Sequence, residues 1–237
     1  MSIWTRIAAA LSALTKGEPL SVVFDRLMGA GAPEQSVGFT IAVLALGAKM
    51  AKADGEVTRD EVTAFRRIFM LPPEEEAHAA RVFNLARQDV AGFDAYATKI
   101  ARLFNPEGRK ICADSHSVLI DILEGLFTVA LADGTYHDHE DAFLAHVAGI
   151  FGLDEPCFRA VRARLVEGAP RDPYDVLGIP HTATTDEARA AWRALVKDSH
   201  PDRMIARGVP PEALQLAERR LMLVNAAWKE IETRQAA

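Results

Sequence analysis

Apolar side chains recur every three to four residues along most of the chain, which is the spacing of one face of an α-helix. No stretch of useful length alternates as a half-buried strand would. Before residue 168 the spacing predicts helices over residues 35–53, 59–70, 74–88, 92–104, 115–132, 139–150 and 155–166. Asp-Gly, Pro-Pro and Asn-Pro pairs separate several of these segments, as breaks between helices do. The pattern therefore predicts an all-α fold.

An internal repeat links two pairs of these helices. Residues 51–61 read AKADGEVTRDE, residues 130–140 read ALADGTYHDHE, and each segment follows a long apolar helix. Gly55 and Gly134 can adopt the positive φ that ends a helix. Glu61 and Glu140 fall near the start of the next helix, where the helix dipole favours a carboxylate. The spacing predicts one helix–turn–helix unit that occurs twice.

The same two turns are candidate metal sites. The positions that would supply the first and third ligands of a calcium loop hold methionine, lysine, valine and leucine, which excludes a standard EF-hand. We expect no metal, and solvated acidic turns with helix caps account for the pattern. An unusual site built from both turns would use Asp54, Glu61, Asp133 and Glu140.

A basic helix is predicted in the C-terminal part of the chain. Thr184 and Glu187 stand three residues apart, which is the spacing of a capping box at a helix start. Arg189, Arg193 and Lys197 follow at four-residue spacing, so they share one face of that helix. The opposite stripe is apolar, and the sequence predicts an exposed line of positive charge.

A second helix completes a predicted hairpin. The tetrapeptide His200-Pro201-Asp202-Arg203 follows the basic helix and is expected to form an exposed loop. After Pro210-Pro211, apolar residues from Leu214 to Ile231 recur at alternating steps of three and four, which gives a coiled-coil-like seam. The two helices are expected to lie antiparallel, with Trp192 and Trp228 between them.

Composition narrows the function classes. The chain has 237 residues and a net charge of −6, which argues against general nucleic-acid binding. Residues 171–237 hold ten basic and ten acidic side chains, so the whole net charge lies in residues 1–170. Cys112 and Cys157 form no CxxC pattern, which excludes a cysteine zinc site and fits a reducing compartment. No nucleophile–base motif, phosphate loop or HExxH motif occurs, so neither an enzyme nor a cofactor is expected.

The N-terminal segment, residues 1–29, leaves two alternatives open. Its apolar run is far shorter than the roughly 20 residues that a membrane span needs. Ile3, Trp4, Ile7 and Leu11 share a helical face that either packs on the main domain or binds weakly at a membrane interface. The expected location is the cytoplasm, with peripheral association at the inner membrane under the second alternative.

Taken together, the C-terminal motifs resemble the J domain of DnaJ-type co-chaperones. The segments 174–179 (YDVLGI), 200–202 (HPD) and 225–228 (NAAW), with the basic helix, follow that family's order and spacing. The family's short fourth helix is not found. Residues 30–168, with their two Ala-Asp-Gly turns, resemble the TerB-like helical fold. The combination is similar to the DjlA group of bacterial co-chaperones, in the form without a membrane span called DjiA.

The resemblance implies a division into an N-terminal helix (1–29), a TerB-like domain (30–168), a two-proline linker (169–173) and a J domain (174–237). It implies that the chain binds a DnaK-type ATPase chaperone and stimulates its ATP hydrolysis, with the TerB-like domain as an adaptor for a client or a location. The residues implied in partner binding are His200, Pro201, Asp202, Arg203, Arg189, Arg193 and Lys197. The alternative is a metal- or stress-sensing binding protein that uses the J domain as its output.

Overall fold

A computed structural model describes residues 6–7, 32–54, 59–68, 70–88, 92–111, 117–166 and 172–236. Within these ranges the regular structure is helical, apart from an isolated bridge between Ile111 and Leu153. The α-helices are α1 (Ala32–Asp54), α2 (Arg59–Ile68), α3 (Glu76–Gln88), α4 (Phe93–Phe104), α5 (Val118–Ala130), α6 (Asp138–Phe151), α7 (Glu155–Leu165), α8 (Pro173–Leu177), α9 (Thr185–Asp198), α10 (Pro201–Ala206) and α11 (Gln215–Ala236). The all-α prediction is confirmed.

Helices α1 and α5 form the buried centre of an N-terminal bundle (α1–α7). Every side chain from Val37 to Met50 in α1 is buried, and so are twelve of the thirteen residues of α5. A helix that is buried on all sides needs neighbours on all sides, and α2, α3, α4, α6 and α7 pack around this pair. The apolar run from Gly38 to Met50 is thus a core helix. Among the residues described, no helix is long and apolar enough to cross a membrane.

Residues 3, 4, 7 and 11 form the predicted apolar face of the N-terminal segment, and the structure describes only Ile7 among them. This side chain is fully buried and belongs to the hydrophobic core of the bundle. Its position favours the packing alternative for this residue. Ile3, Trp4 and Leu11 lie outside the described residues.

The turn between α5 and α6 has the geometry that the repeat predicted. Helix α5 continues into one 3-10 turn, Leu131–Asp133, and Gly134 follows with a φ of 85°, in the left-handed region. The backbone N–H of His137 then donates to the Glu140 carboxylate at 2.9 Å at the start of α6. Gly55, the counterpart in the first repeat, lies outside the described residues.

The C-terminal hairpin (residues 172–236) is built on α9 and α11, which pack against each other. The predicted capping box is present: Glu187 N–H donates to Thr184 Oγ1 at 3.3 Å, and Thr184 N–H donates to the Glu187 carboxylate at 2.7 Å. Trp192 and Trp228 stack with ring centroids 5.4 Å apart. Trp228 is buried and Trp192 is partly exposed.

Helix α8 packs against α9 and α11 within the hairpin. It begins at Pro173, inside the predicted linker, because Asp172 Oδ1 accepts a hydrogen bond from Tyr174 N–H at 2.8 Å and so caps the helix. Val176 and Leu177 are buried in the hairpin core. Residues 167–171 lie outside the described part of the chain.

The connection after α9 differs from the exposed loop that the sequence predicted. Pro201 opens a six-residue helix, α10, and His200 Nδ1 accepts a hydrogen bond from Asp202 N–H at 3.2 Å. A proline at the first helical position loses no intrahelical bond, and the histidine ring supplies the cap. Gly208, with a φ of 96°, follows the helix. The loop prediction was wrong for residues 201–203, which are helical, while the predicted exposure of residues 200–202 is confirmed.

Packing is continuous between the bundle and the hairpin. The bundle core includes five hairpin residues: Met204, Val209, Ala213, Leu216 and Ala217. In the other direction, Ala163 of α7 belongs to the hairpin core. The hairpin therefore rests on the bundle through buried apolar side chains.

Candidate partner-binding site

The basic face of α9 is present as the sequence predicted. Arg193 and Lys197 are exposed. The Arg189 guanidinium lies 5.5 Å from the centre of the Trp228 ring and 3.5 Å from the Asp186 carboxylate. Arg189 is thus held partly against the hairpin, while the other two cations face solvent. The helix presents positive charge over two turns.

The His-Pro-Asp tripeptide lies at the N-terminus of α10, next to the end of this face. The side chains of His200 and Asp202 are 61% and 88% exposed. Because His200 Nδ1 accepts the Asp202 N–H, a neutral ring carries its proton on Nε2 and can donate from there. The tripeptide offers a hydrogen-bond donor and a carboxylate acceptor on adjacent exposed side chains, and Pro201 restricts the backbone between them.

Arg203 and Arg207 fix the position of α10 relative to α9. Arg203 Nη1 lies 3.0 Å from Asp198 Oδ1 at the end of α9. Arg207 Nη1 donates to the Asp198 carbonyl oxygen at 3.2 Å. Arg203 therefore has a local bond that the sequence did not predict, and its contribution to partner binding stays a prediction.

A buried ion-pair network joins the hairpin to the bundle behind the tripeptide. It contains five side chains: Asp121 and Glu124 of α5, Arg164 of α7, Arg207 after α10 and Arg220 of α11. Arg207 Nη2 donates to Asp121 Oδ2 at 2.9 Å. Arg220 Nε lies 3.0 Å from both oxygens of Glu124, and Arg220 Nη2 also bonds Asp121. Arg164 Nη2 lies 3.3 Å from Glu124 Oε1.

Within this network, burial and the neighbouring opposite charges shift the pKa values of the ionisable groups in opposite directions. Burial alone would raise the pKa of Glu124, but the guanidinium groups of Arg220 and Arg164 outweigh it and hold that pKa below its usual value. Burial also disfavours the charged form of Arg220, yet the Glu124 and Asp121 carboxylates raise its pKa. For Arg164 burial prevails, and its pKa is lowered. The charges of Arg220 and Arg164 are thus unequally compensated by the carboxylates around them.

Sequence reasoning missed this network. Helix α5 was described as a long apolar helix, although Asp121 and Glu124 interrupt its apolar run three residues apart. Charged residues within a fully buried helix need buried partners, so the sequence did contain a signal for a charged contact. The partners could not be identified from spacing, since they lie 40 to 99 residues further along the chain.

Comparison with known families separates the same two regions. The family model described as Tellurite resistance protein TerB matches residues 40–163, more than half of the chain. The chain belongs to the TerB family. A DnaJ domain model matches residues 172–235, so the bundle is a TerB domain and the hairpin is a DnaJ domain.

Several relatives align with this chain along most of their length. The co-chaperone protein DjlA of Photobacterium profundum is 28% identical over 229 residues, which cover 85% of this chain and 79% of the relative. The DjlA proteins of Coxiella burnetii and Shewanella oneidensis are 27% and 26% identical, covering 77% and 89% of this chain and 72% and 82% of their own lengths. No solved structure matches the chain significantly.

Among the four candidate metal ligands of the TerB domain, the structure describes only the side chain of Glu140. Its side chain is buried, and its carboxylate accepts the His137 N–H at the start of α6. The side chains of Asp54, Glu61 and Asp133 lie outside the described residues. Across the residues whose side chains are described, no group of three or more histidine, cysteine or carboxylate side chains could hold a metal ion.

Proposed function

We propose that the protein is a co-chaperone whose DnaJ domain binds a DnaK-type ATPase chaperone and stimulates ATP hydrolysis by that partner. The observation that carries the proposal is the exposed His200–Asp202 pair at the start of α10, beside the positive face of α9. The relatives named co-chaperone protein DjlA, which align along most of this chain, support it.

The basic face of α9 accounts for recognition. Arg193 and Lys197 are exposed, and Arg189 is partly exposed beside them, so an acidic surface on the chaperone can approach along the helix. Complementary charge of this kind speeds encounter and fixes orientation more than it adds affinity. The recognition step is therefore expected to weaken as salt concentration rises.

The tripeptide accounts for the stimulation. A bound protein shifts its partner between states only by as much as it binds one state better than the other. The His200 ring and the Asp202 carboxylate can make polar contacts that exist in the hydrolysing state of the chaperone and not in its resting state. ATP is cleaved in the partner, and this protein acts as its regulator without being an enzyme.

The TerB domain is assigned the role of an adaptor for a client or a location. Residues 1–170, which contain this domain, carry the whole net charge of −6, so it presents a different surface from that of the electrically neutral C-terminal segment. The proposal includes a cytoplasmic location, where a DnaK-type chaperone and reduced cysteines occur together.

The test is the steady-state ATPase rate of a purified DnaK-type chaperone, titrated with the full-length chain. The wild-type chain should raise the rate, and His200→Gln should leave it at the basal level because the ring is lost while the helix register is kept. His181→Gln is the matched control, since His181 is an equally exposed histidine of the DnaJ domain, at 62%, away from α10. No stimulation by the folded wild-type chain, or equal loss in both variants, contradicts the proposal.

A further inference from the structure

We propose that Asp121 and Glu124 of the TerB domain are positioning residues for the His-Pro-Asp tripeptide of the DnaJ domain. Through Arg207 and Arg220 they hold the DnaJ domain in one orientation on the bundle. The orientation of the tripeptide is therefore set by the TerB domain as well as by the DnaJ domain. The inference rests on the proposed function and deepens it, because it assigns residues outside the DnaJ domain to the partner-stimulating site.

Arg207 makes the connection between the tripeptide and the TerB domain. Its guanidinium donates through Nη1 to the carbonyl oxygen of Asp198 and through Nη2 to the carboxylate of Asp121. Asp198 ends α9 and Arg207 follows α10, so these two residues flank the segment that carries the tripeptide. The Asp121 carboxylate thus fixes the position of Arg207, which follows the segment that carries the tripeptide.

Arg220 makes a second attachment one helix away. Its guanidinium faces Glu124 with two N–H groups, at 2.7 and 3.0 Å from the carboxylate oxygens, and it also bonds Asp121. A planar guanidinium that bonds a carboxylate through two N–H groups fixes direction as well as distance. Two attachment points on different helices prevent the hairpin from rotating about either one.

Apolar packing closes the surface around these bonds. Met204 of α10, Val209 and Leu216 are at most 4% exposed and lie in the core of the bundle. Met204 stands two residues after Asp202, so the helix that carries the tripeptide is itself anchored on its inner side. Asp121, Glu124 and Arg220 are buried, and the Arg207 side chain is 13% exposed. Moving the DnaJ domain would expose both apolar surface and unpaired charge, which is costly.

The test compares the full-length wild type with Asp121→Asn, Arg207→Gln and the double variant. Asp141→Asn is the matched control, because Asp141 is a TerB-domain carboxylate whose arginine partner, Arg162, lies in the same domain. Circular dichroism and thermal unfolding establish the folded fraction of each protein. Arg207 lies at the edge of the network, so Arg207→Gln carries the test if Asp121→Asn does not fold.

The first measurement is amide hydrogen exchange over residues 199–209 without chaperone. Asp121→Asn and Arg207→Gln should each speed exchange in this segment by about tenfold relative to the rest of the DnaJ domain, since a local attachment has been removed. The double variant should have a smaller effect than the two single changes added together, because both remove the Arg207–Asp121 bond. Unchanged exchange in both single variants, or an equal effect of Asp141→Asn, overturns the inference.

The second measurement is the chaperone ATPase rate, titrated to saturation with each variant. A displaced tripeptide should lower the maximal stimulation about fivefold, while the basic face of α9 keeps the half-maximal concentration near the wild-type value. A variant that is only destabilised would contain a smaller folded fraction. Its half-maximal concentration would rise, and its maximal stimulation would equal that of the wild type. That second pattern, or normal stimulation despite fast exchange, overturns the positioning role and leaves the proposed function standing. No stimulation by the wild type overturns both.

Discussion

Arg220 and Arg164 bind the same carboxylate, yet we expect them to differ sharply in their contribution to stability. Arg220→Met removes bonds of 2.7 to 3.0 Å to both oxygens of Glu124, together with the bond to Asp121. Methionine fills part of the vacated space and carries no charge, so both carboxylates stay buried with weaker compensation. Removing one partner of a buried ion pair costs about 3–5 kcal/mol of unfolding free energy, and we expect a loss in that range.

Arg164→Met is the matched substitution with the smaller expected cost. The Arg164 guanidinium reaches Glu124 and the Val176 carbonyl oxygen only at 3.3 Å. Burial lowers the pKa of Arg164, which means that its contacts compensate its desolvation incompletely. Its removal leaves two guanidinium groups facing two carboxylates. We expect a loss of at most about 1 kcal/mol, because the unfavourable burial of the Arg164 charge is removed together with its two long contacts.

The assay is equilibrium unfolding in urea, followed by tryptophan fluorescence and by circular dichroism. With a slope of about 1–3 kcal/mol per molar urea, the midpoint of Arg220→Met should fall by about 1–2 M or more. On the same slope, the midpoint of Arg164→Met should fall by no more than about one third as much. Coincident transitions by the two probes are required before the midpoints are compared. Equal losses, or a larger loss at Arg164, would refute the argument from geometry and charge.

Two further predictions concern acid stability and a helix cap. Because the folded protein holds the pKa of Glu124 below 4.5, the ionised carboxylate stabilises the fold above that pH, and its contribution is lost as the pH falls through the lowered native pKa. Glu124→Gln should therefore flatten the acid side of the stability profile, and a profile as steep as the wild type's would contradict this. Thr184→Ala should lower the unfolding free energy by about 1 kcal/mol through loss of the α9 cap. Thr182→Ala, at an exposed position before the cap, should have little effect, and equal losses would speak against the cap.

Local patterns in the sequence predicted most of the fold. The α9 capping box needs only Thr184 and Glu187, three residues apart, and the structure forms it as expected. Gly134 likewise adopts the positive φ that the repeat required. The apolar run of α1 predicted a buried helix, because a helix at the surface would need a polar face. These features depend on residues close together in the chain.

Features that depend on distant residues were not predicted. The exposed tripeptide was identified from its motif, whereas the Arg207–Asp121 bond behind it joins residues 86 positions apart. The burial of Asp121 beside Arg220 depends on how α11 lies across α5. Nothing in the spacing of charges along the chain specifies which arginine meets which carboxylate. The candidate site was therefore predicted as a set of exposed residues, and its support from the bundle was found only in the structure.

The five hairpin side chains that complete the bundle core have a consequence for synthesis on the ribosome. Translation proceeds from the N-terminus, so the TerB domain emerges before Leu216 and Arg220 have been made. Until then the Asp121–Glu124 face of α5 has no hairpin to cover it, and domains that emerge first generally fold first. The nascent TerB domain therefore carries an uncovered acidic and apolar surface. Helix α11, which is synthesised after the TerB domain, closes the core of that domain, so the domain cannot complete its packing before α11 has left the ribosome.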